Sequence, residues 1–400
     1  MLKPFIQRLR GLERNLLLFL AGIALLGAAG GMMETTFNNY VAEIFNLAAD
    51  ARGKLEFPRE LPGFLTALFA GILCFVPETR IAAFSALAIG VGMLGLAWME
   101  PNWTSLLIFT TVWSIGAHLL MPVRSSLTMD MADAKQRGRR MGQVASTGLA
   151  ASIAGCAVVW ISMRWLKAGY PVIFTIGALA AFAAALFLFA MRMPGAHLQR
   201  PRFVWHNRYW LYYVLSLLFG ARKQIFITFG PWVLIRVFHQ PVWIFAQLWI
   251  ATAILGVFFQ PWLGRAIDRW GERRVLLADS VLLLFVCLGY GFADRLPVPK
   301  LALWLLYGCF VGDNLLFGVN MARDTYLSKI LVRPDHLGPT LSLGVSINHA
   351  VSMSVPALGG WIWMVYGHAY VFVATAVIAV LMALFSNLLR LPAHRPQTAP

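Results

Sequence analysis

"GRAIDRWGERR", residues 264–274, is a short charged hinge between two long apolar runs, 242–263 and 275–293. An apolar run of about 20 residues is long enough to cross a bilayer as a helix. Runs of this kind recur from one end of the chain to the other. Only 12% of the 400 residues are charged and 59% are hydrophobic, whereas a soluble domain carries charge at about 25% of its positions. The mean hydropathy of +0.70 points the same way. The chain therefore reads as a polytopic membrane protein. A membrane barrel would show alternating strands of about 10 residues. The runs here are continuous and longer, so they read as helices.

Twelve helices are expected, near 16–40, 61–76, 81–98, 106–123, 142–165 and 171–191, then 209–237, 242–263, 275–293, 301–319, 340–365 and 370–389. The second is short and bracketed by Glu60, Pro62 and Pro77. The first run lacks a small-residue cleavage site and leads on to further spans, so it reads as a helix and not a removed signal. The net charge of +16 does not indicate nucleic-acid binding, because the charges cluster in alternate loops. With the N-terminus in the cytoplasm, about 23 of the 33 Lys/Arg fall inside and about 8 outside. The inside set includes "KQRGRR" (135–140). This bias places both termini in the cytoplasm, in a bacterial-type inner membrane. The four cysteines (Cys74, Cys156, Cys287 and Cys309) lie in apolar runs and read as buried, unpaired thiols.

The chain divides into an N-terminal six-helix bundle (1–193), a cytoplasmic linker (194–207) and a C-terminal six-helix bundle (208–400). The halves read as a duplication. "RSSLTMDMADAKQRGRRMGQ" from Arg124 and "RDTYLSKILVRPDHLGPTLSLG" from Arg323 each combine an Arg at a membrane exit, a charged loop and a Gly, Gly142 or Gly344, opening the next helix. Their offset is about 200 residues, half the chain, as an internal repeat requires.

The hinge closely resembles the cytoplasmic loop signature of the major facilitator superfamily. Gly264, Asp268, Arg269, Gly271, Arg273 and Arg274 carry the match. The residue types suit the position. Glycine permits a tight reversal, and Asp268 can pair with nearby arginines or cap a helix end. Such a network can latch two helices in one state and release them in another; the alternative is a plain charged turn. The equivalent loop of the first half, "CFVPETRI" (74–81), lacks the pattern. The glycine-proline cluster of drug antiporters is not reproduced in "GLAASIAGC" (148–156), and "PALGG" (356–360) is its nearest echo. The resemblance implies an all-α membrane fold of two pseudo-symmetric six-helix bundles.

The resemblance also implies that helices 1, 4, 7 and 10 line a central cavity. Each of those runs carries an interior ionisable group: Glu34, His118, the pair Arg222 and Lys223, and Asp313. A charge at the bilayer centre costs about 2.5–3.5 kcal/mol on insertion scales, so each must face a partner or a cavity. Arg222 and Lys223 either hold an anionic solute group or form structural salt bridges between the halves. Adjacent helical residues point about 100° apart, so the two cannot face one point, and one can meet substrate while the other meets Asp313. Gln224, Thr228, Asn38, Asn39, Asn314 and Asn348 are candidate hydrogen-bonding partners of a solute, and Trp232 and Phe229 can stack on it. Glu34, His118, Asp313 and His349 are candidate proton carriers. For Glu34 the alternative is a permanent pair with Arg222 or Lys223. Snorkelling or carbonyl capping accounts for Arg124 and Arg323 at helix ends.

No GxxxxGK[ST] loop, metal-ligand spacing or nucleophile triad occurs, so neither a cofactor nor an enzymatic activity is expected. The functional expectation is a monomeric secondary active transporter, coupled to H+, moving a small anionic or polar solute by alternating access. The alternatives are an exporter of amphipathic compounds and a non-transporting scaffold or receptor on the same fold.

Overall fold

The computed structural model describes residues 2–132, 137–193 and 204–389, without the side chains of residues 2–13, 67, 70, 71 and 74. Much of the expected linker (194–207), part of the "KQRGRR" loop and the C-terminal tail lie outside the described residues. The first half contains α1 (Leu2–Glu43), α2 (Ala49–Lys54), α3 (Glu56–Phe64), α4 (Thr66–Ile72), α5 (Glu78–Trp98), α6 (Trp103–Asp130), α7 (Arg137–Arg164) and α8 (Tyr170–Phe189). The second contains α9 (Trp210–Arg236), α10 (Val242–Trp270), α11 (Glu272–Phe292), α12 (Pro299–Leu316), α13 (Asn320–Ile330), α14 (Leu337–Tyr366) and α15 (His368–Asn387). Among the described residues no strand occurs.

Among the described residues, ten helical stretches are long and apolar enough to cross a membrane. The other two expected runs are helical as well: the broken path α2–α4, and α9. The second run is not the short segment expected from residue 61. It begins at Ala49, so Arg52, Glu56, Arg59 and Glu60 lie inside it and are buried. The tenth run likewise continues beyond its expected end, through a short 3-10 turn into α13. Many large apolar side chains face outward, including Phe258 and Trp304, each 72% exposed. That is the surface a hydrocarbon solvent requires.

Local signals fix the ends of the helices. Asn102 caps α6: its side chain accepts from Ser105 N at 2.9 Å, while Ser105 Oγ accepts from Asn102 N at 3.2 Å. In the hinge 264–274, α10 ends at Trp270 and α11 starts at Glu272, with Gly271 between them at φ +82°. Only glycine adopts that conformation without strain.

Within the first bundle α5 packs on α6 and α8, and α1 on α7 and α8; within the second, α11 packs on α15 and α9 on α14. The bundles meet at one end. There α2 lies so close to α14 that a Cβ on Gly53 would fall 2.1 Å from Pro356 O, and one on Gly360 2.4 Å from Ala49 O. Arg236 Nη2 donates to Leu47 O at 2.7 Å, Asn39 Nδ2 donates to Gln240 O at 3.2 Å, and Arg164 stacks 5.5 Å from the Trp243 ring. At the opposite end, where α7 begins and α10 finishes, no hydrogen bond or ion pair joins the bundles among the described residues. The described polar contacts at the ends of the bundles thus gather at one end.

Candidate functional site

The stretch "ARKQ" (221–224) of α9 splits its polar groups three ways, as a helix must. Arg222, fully buried, turns into its own bundle. Its Nη1 donates to Asp279 Oδ2 at 2.6 Å, and its Nη2 lies 3.9 Å from Asp313 Oδ1. Phe219 and Phe317 cover the guanidinium at 5.5 and 5.7 Å. Asp279 on α11, the closer partner, was not among the expected residues, although an Asp inside the apolar run 275–293 was a visible signal. Gln224 turns the other way and donates from Nε2 to Glu56 Oε2 of the first bundle at 2.6 Å.

Lys223 lies between them and lines the central cavity. Among the described residues it makes no hydrogen bond and no ion pair. The cavity measures about 590 Å³, and its polar lining includes Glu34, Arg59, Glu60, His118, Arg124, Lys223 and His349. Its apolar walls include Ile23, Leu26, Ile89 and Trp113. Residues of both bundles contribute. An adjoining chamber of about 270 Å³ is lined by Glu34, Asn38, Trp249, Asp313 and Asn314. Glu34 and Ile227 line both spaces. The Glu34 side chain is exposed to the cavity, and it pairs with neither Arg222 nor Lys223.

The charges of α2 and α3 form a buried network. Glu56 is fully buried and accepts from Arg52, from Arg59 Nε at 2.7 Å and from Gln224. Arg52 also donates to Asn38 Oδ1 from Nη2 at 2.9 Å. Glu60 lies 3.3 Å from Arg59 Nη2 and accepts from His349 Nδ1 of the second bundle at 2.9 Å. His118 Nδ1 donates to Ser114 O at 3.0 Å, and its ring meets that of His349 edge-on with centroids 5.0 Å apart. A buried ion pair gains little over apolar packing, but breaking one leaves a charge stranded. The network ties α3 to α9 through Gln224 and to α14 through His349.

Other expected residues lie elsewhere. Thr228 and Asn348 are buried outside the cavity lining. Asn39 joins the bundles through Gln240. Trp232 and Phe229 are core residues, 1% and 0% exposed, and Trp232 carries Arg236 at 5.3 Å and Arg52 at 6.0 Å over its ring. Arg323 is buried beside Asp324 at 3.6 Å and over the Phe219 ring at 5.0 Å. In the hinge, Asp268 is exposed with no ion pair among the described residues, and Arg273 donates to Asn387. The buried carboxylate there is Glu272, 2.5 Å from Lys329 Nζ on α13. Cys156, Cys287 and Cys309 are buried and free.

Solved structures with the same fold include a mutant of the nucleoside transporter NupG, with TM-score 0.78, 15% identity and coverage of 94% of this chain and 99% of that one. An auto-inhibited POT family peptide transporter aligns with TM-score 0.74, 13% identity and coverage of 97% and 99%. A D-xylose-proton symporter aligns with TM-score 0.69, 16% identity and coverage of 95% and 98%. No curated protein sequence matches significantly. The sequence matches the Major Facilitator Superfamily profile over residues 60–323. That span is more than half of the chain, and this multi-pass membrane protein belongs to the Major Facilitator Superfamily.

Proposed function

We propose that the protein is a secondary active transporter that moves a small anionic or polar organic solute by alternating access. One observation carries the reading. Lys223 presents a cation without an ion partner, among the described residues, to a cavity of about 590 Å³ shared by the two bundles. An unpaired ammonium in such a place is costly unless a ligand or water completes it. Arg222, by contrast, is paired with Asp279 and lies 3.9 Å from Asp313 inside its own bundle, and serves structure. The apolar walls opposite suit the body of an organic anion.

The bundles (1–193 and 208–400, joined by 194–207) rock about this cavity. Given the Lys/Arg bias, the termini are cytoplasmic and the end where α7 begins and α10 finishes opens inward in an inner membrane. Coupling to H+ falls to Glu34, which faces both spaces of the site, and then to Asp313 in the second. The chain acts as a monomer, with the hinge 264–274 as its gate. Uptake of organic anions into proteoliposomes, compared with Lys223→Gln, tests the reading. Unaltered affinity in that variant would remove the lysine from the site.

A further inference from the structure

Glu60, His118 and His349 come from three helices, α3, α6 and α14, and from both bundles. One ligating atom of each lies within 4.8 Å of the other two, and all three residues are buried. They also line the 590 Å³ cavity. The geometry points to a divalent transition-metal site here, built across the interface between the bundles. Two imidazoles and a carboxylate with a fourth position left to water are a ligand set suited to Zn²⁺ or Co²⁺.

Three features support ligation over a chance cluster. His118 Nδ1 lies 3.0 Å from both Ser114 Oγ and Ser114 O; since the Ser114 hydroxyl donates to Arg59 O, Nδ1 carries the proton towards Ser114, Nε2 keeps the lone pair a metal needs, and the ring is held in the way outer partners hold metal-bound histidines. Glu60 is oriented by Arg59 at 3.3 Å. Gly63 makes room for both rings: a Cβ there would lie 2.5 Å from His349 Nδ1 and 2.7 Å from His118 Cδ2. Metal–ligand bonds of about 2.0–2.2 Å need the three atoms to draw together, with the ion replacing the Glu60–His349 hydrogen bond.

The surroundings set the selectivity. Arg59 shares the charge of Glu60, and Lys223 lines the same cavity. Every dication meets the repulsion of these cations; the two imidazoles bind Zn²⁺ or Co²⁺ strongly enough to offset it, whereas Mg²⁺, which prefers oxygen ligands, gains little from them. Because His349 belongs to the second bundle, the ion staples the bundles in the arrangement seen here. This inference does not depend on the solute or on transport.

The test uses the purified full-length chain in detergent, stripped with chelator and titrated with Co²⁺. One equivalent should give tetrahedral d–d bands, displaced by Zn²⁺ and not by Mg²⁺, and Zn²⁺ should raise the unfolding temperature. His118→Gln, His349→Gln and Glu60→Gln should each weaken binding by at least about tenfold, since loss of an outer-shell partner alone costs that much. His368→Gln, beside Asp294 and away from the cluster, should leave it unchanged. Gly63→Ala keeps every ligand and should still weaken binding, which covers the case in which a ligand variant does not fold. No stoichiometric cobalt spectrum in the unaltered chain would overturn the assignment, as would a spectrum that survives both histidine changes.

Discussion

Replacing Arg222 and Lys223 one at a time should give opposite phenotypes, although they are neighbours in sequence. Arg222→Gln removes the cation that lies 2.6 Å from Asp279 and 3.9 Å from Asp313. Both carboxylates are fully or almost fully buried, and neither gains a new partner. Breaking a buried pair in this way costs about 3–5 kcal/mol, so the variant should unfold at a clearly lower temperature in detergent. Adding Asp279→Asn should recover most of that loss. Lys223→Gln breaks no ion pair among the described residues and removes a costly unpaired charge, so the variant should be at least as stable as the parent. Its deficit should appear in solute binding. One charge-assisted hydrogen bond is worth about 1.5–3 kcal/mol, or roughly ten- to a hundredfold in affinity. Thermal unfolding and equilibrium binding, measured on the same preparations, separate the two. Lys223→Gln destabilised as much as Arg222→Gln, or Arg222→Gln fully stable, would refute the division of labour.

Three further outcomes are expected. Gly360→Val places a Cβ against Ala49 O, 2.4 Å away, and should force α2 from α14. The distance between spin labels at positions 46 and 239 should then lengthen, and an unchanged distance would show that this contact does not join the bundles there. Glu34→Gln should abolish pH-driven accumulation while solute-for-solute exchange persists; unaltered pH dependence would exclude Glu34 as the proton carrier. Asp268→Asn should slow transport with membrane insertion intact, and normal turnover would leave the hinge as a turn only.

The helical membrane fold and the hinge were legible in the sequence, because hydropathy runs and the Gly-Asp-Arg-Gly pattern are local signals. The second helical path was misplaced for a physical reason. Arg52, Glu56, Arg59 and Glu60 precede the expected start of the second run at 61, and only their pairing with one another and with Gln224 and His349 makes their burial tolerable. Those partners lie far along the chain. The alternation on α9 was foreseen from helix geometry, but not which cation would face the cavity, since that depends on Asp279 from α11. The cluster of Glu60, His118 and His349 has no spacing signature at all. Three helices bring it together.

The central claim is that Lys223 meets the transported solute. The most direct measurement is concentration-dependent flux of a panel of small organic anions and polar solutes into proteoliposomes, with the parent and Lys223→Gln side by side. Saturable flux of at least one solute is expected, with half-saturation shifted roughly ten- to a hundredfold upward in the variant. Flux that the variant leaves unaltered, or no protein-dependent flux of any solute, would contradict the account.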